Sequence, residues 1–148
     1  MLQFLYITNR FIMIRHLNKQ LYERNLGLLL IRVGTGLVFF MHGIMKLQSI
    51  GMINSFFTKS LGLPPGTAML IAAIETVGGL MLVLGVFTRV AAVVLGIEML
   101  VAIFLTGGPS KGWQQHEMEA LLMAVSFGLV YTGSGKFSLW HWDPKIDR

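Results

Sequence analysis

Cysteine is absent from all 148 residues. This rules out disulfide exchange, Cys-ligated iron–sulfur clusters, Cys-containing zinc sites and c-type haem attachment by this polypeptide alone. Charge is scarce too. Asp, Glu, Lys and Arg make up 13% of the chain, about half the share of a soluble globular protein. Acids are the rarer sign, 7 against 12 Lys and Arg, giving a formal net charge of +5. Cofactor fingerprints are missing as well. The run Gly133-Ser134-Gly135-Lys136-Phe137-Ser138 lacks the leading glycine of a phosphate-binding loop and has Phe137 where that loop needs Ser or Thr. The ten methionines form no Met-x-Met tract for copper, and no Ser/His/Asp set suggests a nucleophile.

What the chain does have is apolar side chains. They make up 54% of the residues, and the mean hydropathy is +0.67. A soluble domain this short leaves much of its surface in water and cannot hide so much apolar area. The composition argues against a solvated enzyme, a disordered tail and a free nucleic-acid binder. It fits a lipid bilayer.

Four apolar segments follow one another: from about Leu26 to Leu47, Thr67 to Phe87, Val90 to Thr106 and Glu117 to Thr132. A spanning helix needs roughly 17–25 mostly apolar residues. Turn chemistry separates the segments. Gly62, Pro64, Pro65 and Gly66 precede the second, Gly107, Gly108, Pro109 and Gly112 follow the third, and Gly133 and Gly135 end the fourth. The expected fold is all-α, an integral-membrane antiparallel four-helix bundle over residues 26–139. A soluble bundle of very apolar helices is the competing reading. Residues 1–25 read as a basic and apolar leader lying in the cytoplasm or on the membrane surface, and residues 140–148 as a cytoplasmic tail. With the N-terminus inside, Arg10, Arg15, Lys19, Arg24, Arg89, Lys136, Lys145 and Arg148 fall on the cytoplasmic side. Lys46, Lys59 and Lys111 fall outside. The bias toward the inner side places both termini in the cytoplasm. Trp113, Tyr131, Trp140 and Trp142 lie near segment ends, as interfacial aromatics do.

Charges within hydrocarbon are costly and normally face the bundle interior. Helical spacing allows this here. Arg32, Gly36, Phe39, Gly43 and Lys46 share one face of the first helix. Ala68, Ala72, Glu75, Gly79 and Leu82 share one on the second, and Ala91, Leu95, Glu98, Ala102 and Leu105 one on the third. Glu119, Met123, Ser126, Val130 and Gly133 do so on the fourth. Small residues beside the charges let helices approach closely in lipid. Arg32 and Glu98 lie roughly 10 and 13 Å from the cytoplasmic end, and Glu75 about 12 Å from the outer end. An intramembrane cluster in which Arg32 pairs with Glu75, Glu98 or both is expected. It is either an ion pair that fixes helix order or a site for an anionic or quinone-like oxygen. Two carboxyls near one guanidinium would leave one able to hold a proton. Toward the outer side, His42, Lys46, His116, Glu117 and Glu119 outline a polar mouth with Glu75. Such residues near helix ends are also commonly solvated. His42 and His116 are a conceivable pair of axial ligands for a b-type haem, but no metal or cofactor is assigned.

Several stretches resemble the DoxX family of membrane proteins. They are Leu30-Ile31-Arg32-Val33-Gly34 with His42-Gly43-Ile44-Met45-Lys46-Leu47, and Glu75-Thr76-Val77-Gly78-Gly79-Leu80 with Leu84-Gly85-Val86-Phe87-Thr88-Arg89. The closing Gly133-Ser134-Gly135-Lys136-Phe137-Ser138-Leu139 is similar to the family's ending, although Trp140 stands where an Asp is usual. The resemblance implies a small four-helix protein of the bacterial cytoplasmic membrane, with Arg32, Gly43, Lys46, Glu75, Gly79 and Arg89 at family positions. Some relatives are subunits linked to thiosulfate oxidation with quinone as acceptor, and others belong to assemblies handling oxidative or thiol stress.

Three functions compete. A non-catalytic subunit or scaffold in a redox or stress assembly comes first, without activity of its own. A quinone-linked oxidoreductase subunit using the buried Arg and Glu residues is second. A small transporter is third. Expected partners are the bilayer, a membrane or peripheral protein and further copies of the chain. Nucleic acid is not one.

Overall fold

The computed structural model describes residues 24–107 and 112–140. The leader before residue 24 and the tail beyond residue 140 lie outside the described residues. Five α-helices are present among those described: α1 (Arg24–Gln48), α2 (Ile50–Ser60), α3 (Thr67–Leu84), α4 (Thr88–Leu105) and α5 (Glu117–Thr132), with a short 3-10 turn at Trp113–Gln115. The molecule is all-helical, but the expected count of four is corrected to five. The stretch read as a loop after the first segment contains α2.

That element eluded the hydropathy reading because it mixes Asn54, Ser55, Thr58 and Lys59 into an apolar background. No residue of α2 is buried. It is tied down locally. The Gly66 amide donates to Asn54 Oδ1 at 3.3 Å, and the Leu63 amide donates to the Phe57 carbonyl at 3.0 Å.

Three helices are long and apolar enough to cross a bilayer: Asn25–Gln48, Thr67–Leu84 and Thr88–Leu105. The expected fourth crossing corresponds to α5, which has 16 residues and falls short of that length. Large apolar side chains cover the outside of the bundle, among them Leu30, Leu70, Val90, Phe104 and Leu121, all exposed. Arg32, Glu75 and Glu98 are buried instead. Apolar outside and ionic inside is the arrangement of a protein dissolved in lipid, where an unsatisfied polar group costs several kcal/mol. The chain is a multi-pass membrane protein.

Backbone chemistry explains the helix ends. Gly66 at φ 91° precedes α3, and Gly85 at φ 72° ends it. The Gly85 amide donates to the Leu82 carbonyl at 3.2 Å and the Val86 amide to the Met81 carbonyl at 3.0 Å. These two bonds form a Schellman stop, which satisfies carbonyls the helix leaves open. Only two residues separate Gly85 from α4, so α3 and α4 run antiparallel.

The helices pack as two antiparallel pairs, α1 with α3 and α4 with α5, joined where α3 meets α4. Glycine sets the first contact. A Cβ on Gly36 would lie 2.7 Å from the Gly79 carbonyl oxygen and 2.8 Å from the Val83 amide nitrogen. On Gly43 it would lie 2.5 Å from the Thr76 amide nitrogen. These neighbours are backbone and cannot swing aside. In the second pair Phe127 packs over Gly96, and Gly78 of α3 packs against Leu95 of α4. The core between the pairs is Phe39, Leu82, Ala91, Ala92, Leu95, Met99, Leu122 and Leu129.

Close backbone approach at some glycines and open space at another predict a contrast. Gly36→Ala and Gly43→Ala should each destabilise the detergent-solubilised protein by about 1–3 kcal/mol through overpacking. Gly34 has nothing within 4 Å of the added carbon, so Gly34→Ala should be neutral or stabilising by up to about 1 kcal/mol. Thermal unfolding followed by circular dichroism compares the three. Equal effects would refute the close-approach account.

Candidate functional site

The polar interior has two separate centres. The first joins α1, α3 and α4. Lys46 Nζ donates to Glu75 Oε1 at 2.6 Å. The Glu75 side chain is 1% exposed, and the Lys46 side chain 26% exposed. Antiparallel packing creates this pair. Lys46 is one turn beyond Gly43, where α1 lies against Ala72 and Thr76 of α3, and that brings it level with Glu75. Thr76 turns its hydroxyl back onto the Ala72 carbonyl at 2.7 Å, so it does not compete for the acid.

Glu98 of α4 completes the centre. Its carboxyl meets that of Glu75 and lies in the field of Lys46. One ammonium therefore faces two carboxyl groups. Glu75 Oε2 and Glu98 Oε2 are both buried without a hydrogen-bond partner.

The second centre is Arg32, 1% exposed. Its Nη2 donates to the Phe137 carbonyl oxygen at 2.6 Å, while Nε and Nη1 have no hydrogen-bond partner. The guanidinium lies against Gly85, where any Cβ would collide with Nη1 and approach Ser138 Cβ to 2.6 Å. Residues 133–139 close this end of the bundle. The Leu139 amide donates to the Leu84 carbonyl at 3.1 Å, and the Lys136 amide to Asn25 Oδ1 at 3.3 Å.

The expected pairing of Arg32 with Glu75 or Glu98 is therefore corrected. Arg32 and Lys46 are fourteen residues apart on α1, about 21 Å along its axis, and Glu75 is bonded to Lys46. Helical spacing had put both bases on one face. Of the two, Lys46 also belongs to the expected outer mouth with Glu75, and that grouping is the one that forms.

The remaining candidates divide. His42 is exposed, whereas His116, just before α5, is buried with neither ring nitrogen hydrogen-bonded. Glu117 is exposed and Glu119 half-buried. Of the expected polar mouth, the structure joins Lys46 to Glu75 through a hydrogen bond. Gly43 and Gly79 serve the α1–α3 approach. Arg89 is exposed in the first turn of α4. No group of three or more His, Asp or Glu able to hold a metal ion occurs among the described residues. Sequence reasoning missed Thr88. It is buried at the start of α4 and its Oγ1 has no hydrogen-bond partner. The signal available was its place just after a glycine helix stop.

Comparison with known proteins gives a consistent result. The DoxX family model matches residues 27–108. A Bacillus subtilis protein, CatD, which carries the provisional name of an oxidoreductase, is 38% identical over 121 residues, covering 82% of this chain and 87% of its own. An uncharacterized membrane protein of Mycobacterium tuberculosis is 32% identical, over 74% of this chain and 76% of its own. An uncharacterized protein of Haemophilus influenzae is 30% identical, over 74% and 84%. No solved structure matches.

The Lys46–Glu75 bond predicts a characteristic double-mutant cycle. Lys46→Met alone leaves a buried carboxylate unpaired and should cost roughly 3–5 kcal/mol. Lys46→Met with Glu75→Leu removes both charges and should recover most of that loss. Unfolding of the purified variants in detergent measures the cycle, and additive losses would show that the pair is not coupled.

Proposed function

Because the chain belongs to the DoxX family, we propose that it is a non-catalytic subunit of a redox- or oxidative-stress-linked assembly in the bacterial cytoplasmic membrane. One observation carries this reading: the ion pair found within the spanning helices among the described residues joins one helix to another. Lys46 ties α1 to Glu75 of α3, and Glu98 brings α4 to the same acid. The outward faces are left apolar and suited to lipid or a neighbouring membrane protein. The redox context is supported by the name of the Bacillus subtilis relative.

A second reading, a quinone-linked oxidoreductase subunit, is favoured by the two unpartnered carboxyl oxygens. A quinone ring, however, calls for donors at two opposed carbonyl oxygens. Lys46 is committed to Glu75, and Arg32 lies at the other end of the bundle. The residues present do not frame such a ring, and no step is assigned to it.

Both termini are placed in the cytoplasm under this proposal. Although short, α5 packs along α4, with Phe127 over Gly96, and so accompanies it through the same slab. Arg89 and Lys136 then lie inside, and Lys46 and Lys59 outside, in keeping with the inward bias of basic residues.

Two measurements test these assignments. The native chain has no cysteine, so single substitutions report topology cleanly. Ser55→Cys should react with an impermeant maleimide in intact spheroplasts, and Lys136→Cys only after permeabilisation. The reverse pattern would invert the topology. Purification in mild detergent followed by native mass spectrometry should show a stoichiometric second protein and no quinone. A stoichiometric quinone with the chain alone would replace the first reading by the second.

A further inference from the structure

A cleft of about 120 Å³ opens at the end of the bundle where α4 begins, away from the Lys46–Glu75 centre. Its lining includes Thr88, Arg89 and Val90 from the first turn of α4, Ser134 from the closing segment, and Phe87 and Trp140. Three features make it a site for an anion at a membrane surface.

First, α4 is an 18-residue helix whose N-terminus has no side-chain cap. Amide groups in a first turn have no partner within the helix, and the aligned peptide dipoles favour negative charge there. Phe87, the residue before the helix, is held at φ 46°, left-handed for a bulky side chain. Second, Thr88 lines the cleft, is only 4% exposed, and has a hydroxyl with no hydrogen-bond partner. A buried hydroxyl normally has a partner. Here it stands ready to donate beside the helix terminus. Third, the surroundings are basic and aromatic. Arg89 lines the cleft, exposed Lys136 follows two residues after Ser134, and Phe87 stacks on Trp140 with centroids 5.4 Å apart. Aromatic rings next to basic groups suit the headgroup level of a bilayer.

We infer that this cleft binds the phosphate of an anionic phospholipid. The phosphate oxygens accept from the Thr88 hydroxyl and the first-turn amides of α4, and the Arg89 charge lies alongside. The glycerol and upper acyl carbons rest on Phe87, Val90 and Trp140. These apolar walls favour a lipid over a free phosphate ion, which would leave them without a partner. The site is independent of the redox reading, since it uses none of Lys46, Glu75 or Glu98.

The test is native mass spectrometry of the full chain in mild detergent. Phosphatidylglycerol, phosphatidylcholine and inorganic phosphate are added separately. Phosphatidylglycerol should be retained over phosphatidylcholine, which carries the same phosphate but whose choline cation would face Arg89. Thr88→Val should lower phosphatidylglycerol retention about tenfold, the scale of one hydrogen bond to a charged group. Thr88→Ser keeps the hydroxyl and should retain the lipid. Its helicity by circular dichroism, beside that of Thr88→Val, separates loss of binding from loss of fold. Arg89→Gln should weaken binding as well. Equal retention of the two lipids overturns the inference, as does retention unchanged in both Thr88→Val and Arg89→Gln. Binding of inorganic phosphate that displaces the lipid assigns the cleft to a soluble anion and overturns the lipid assignment.

Discussion

A charge inside hydrocarbon has nowhere to turn but inward, and that constraint organises this molecule. Glu75 sits on a helix of 18 residues that is otherwise apolar over most of its surface. Its ionised carboxylate is costly in a bilayer unless another helix brings it a cation. Lys46 does so at 2.6 Å. To deliver that ammonium, α1 must lie almost backbone to backbone against α3, which is why Gly36, Gly43 and Gly79 line the contact. The ion pair and the glycine seam thus depend on each other. The seam sets the height at which the ammonium arrives, and the pair gives the seam a defined register along the helix axes. Glu98 of α4 lies beside Glu75, so three helices meet at one polar node.

The two ends of the bundle have different characters. One holds the acid node, with a single ammonium and unpartnered carboxyl oxygens. The other holds the buried Arg32 guanidinium under a closing segment, next to the uncapped start of α4. About 21 Å of helix lies between them. A small-molecule reaction that needs both a guanidinium and a carboxylate at one atom has no room in this arrangement. The separation suits a protein whose ends meet different surroundings, such as a partner at one membrane face and lipid headgroups at the other.

Much of this was legible in the sequence. Five expected positions of the α3 face, Ala68, Ala72, Glu75, Gly79 and Leu82, are the buried ones, together with Gly78. On α1, Arg32, Gly36, Phe39 and Gly43 of the expected face are buried, with Thr35 beside them, while Lys46 is partly exposed. On α5 Ser126 is buried as expected, but Leu122 and Leu129 are buried in place of their neighbours Met123 and Val130. A nearly uniformly apolar helix gives periodicity little to work with. Pairing was legible only in part. The expected outer mouth grouped Lys46 with Glu75, the pair that forms, but Arg32 was the partner expected for the acids, because residues on a shared face leave helix register open. α2 was hidden for a different reason. A surface helix that buries nothing leaves no apolar run to detect. The cleft beside Thr88 depends on a closing segment that returns from more than forty residues downstream, and no local pattern announces such a return.

Unequal helix lengths carry one further consequence. α1 is about 37 Å long and α5 about 24 Å, while the hydrocarbon layer is about 30 Å thick. Lipid touching the long helix is met by a tilt; with α5 crossing as proposed, lipid touching the short one must thin, or a neighbouring protein must displace it. The annulus around the molecule is therefore uneven. The flank bearing α5 is where chain compression is relieved by shorter acyl chains or by contact with another helix, so thickness mismatch alone gives this otherwise featureless apolar surface a preferred side.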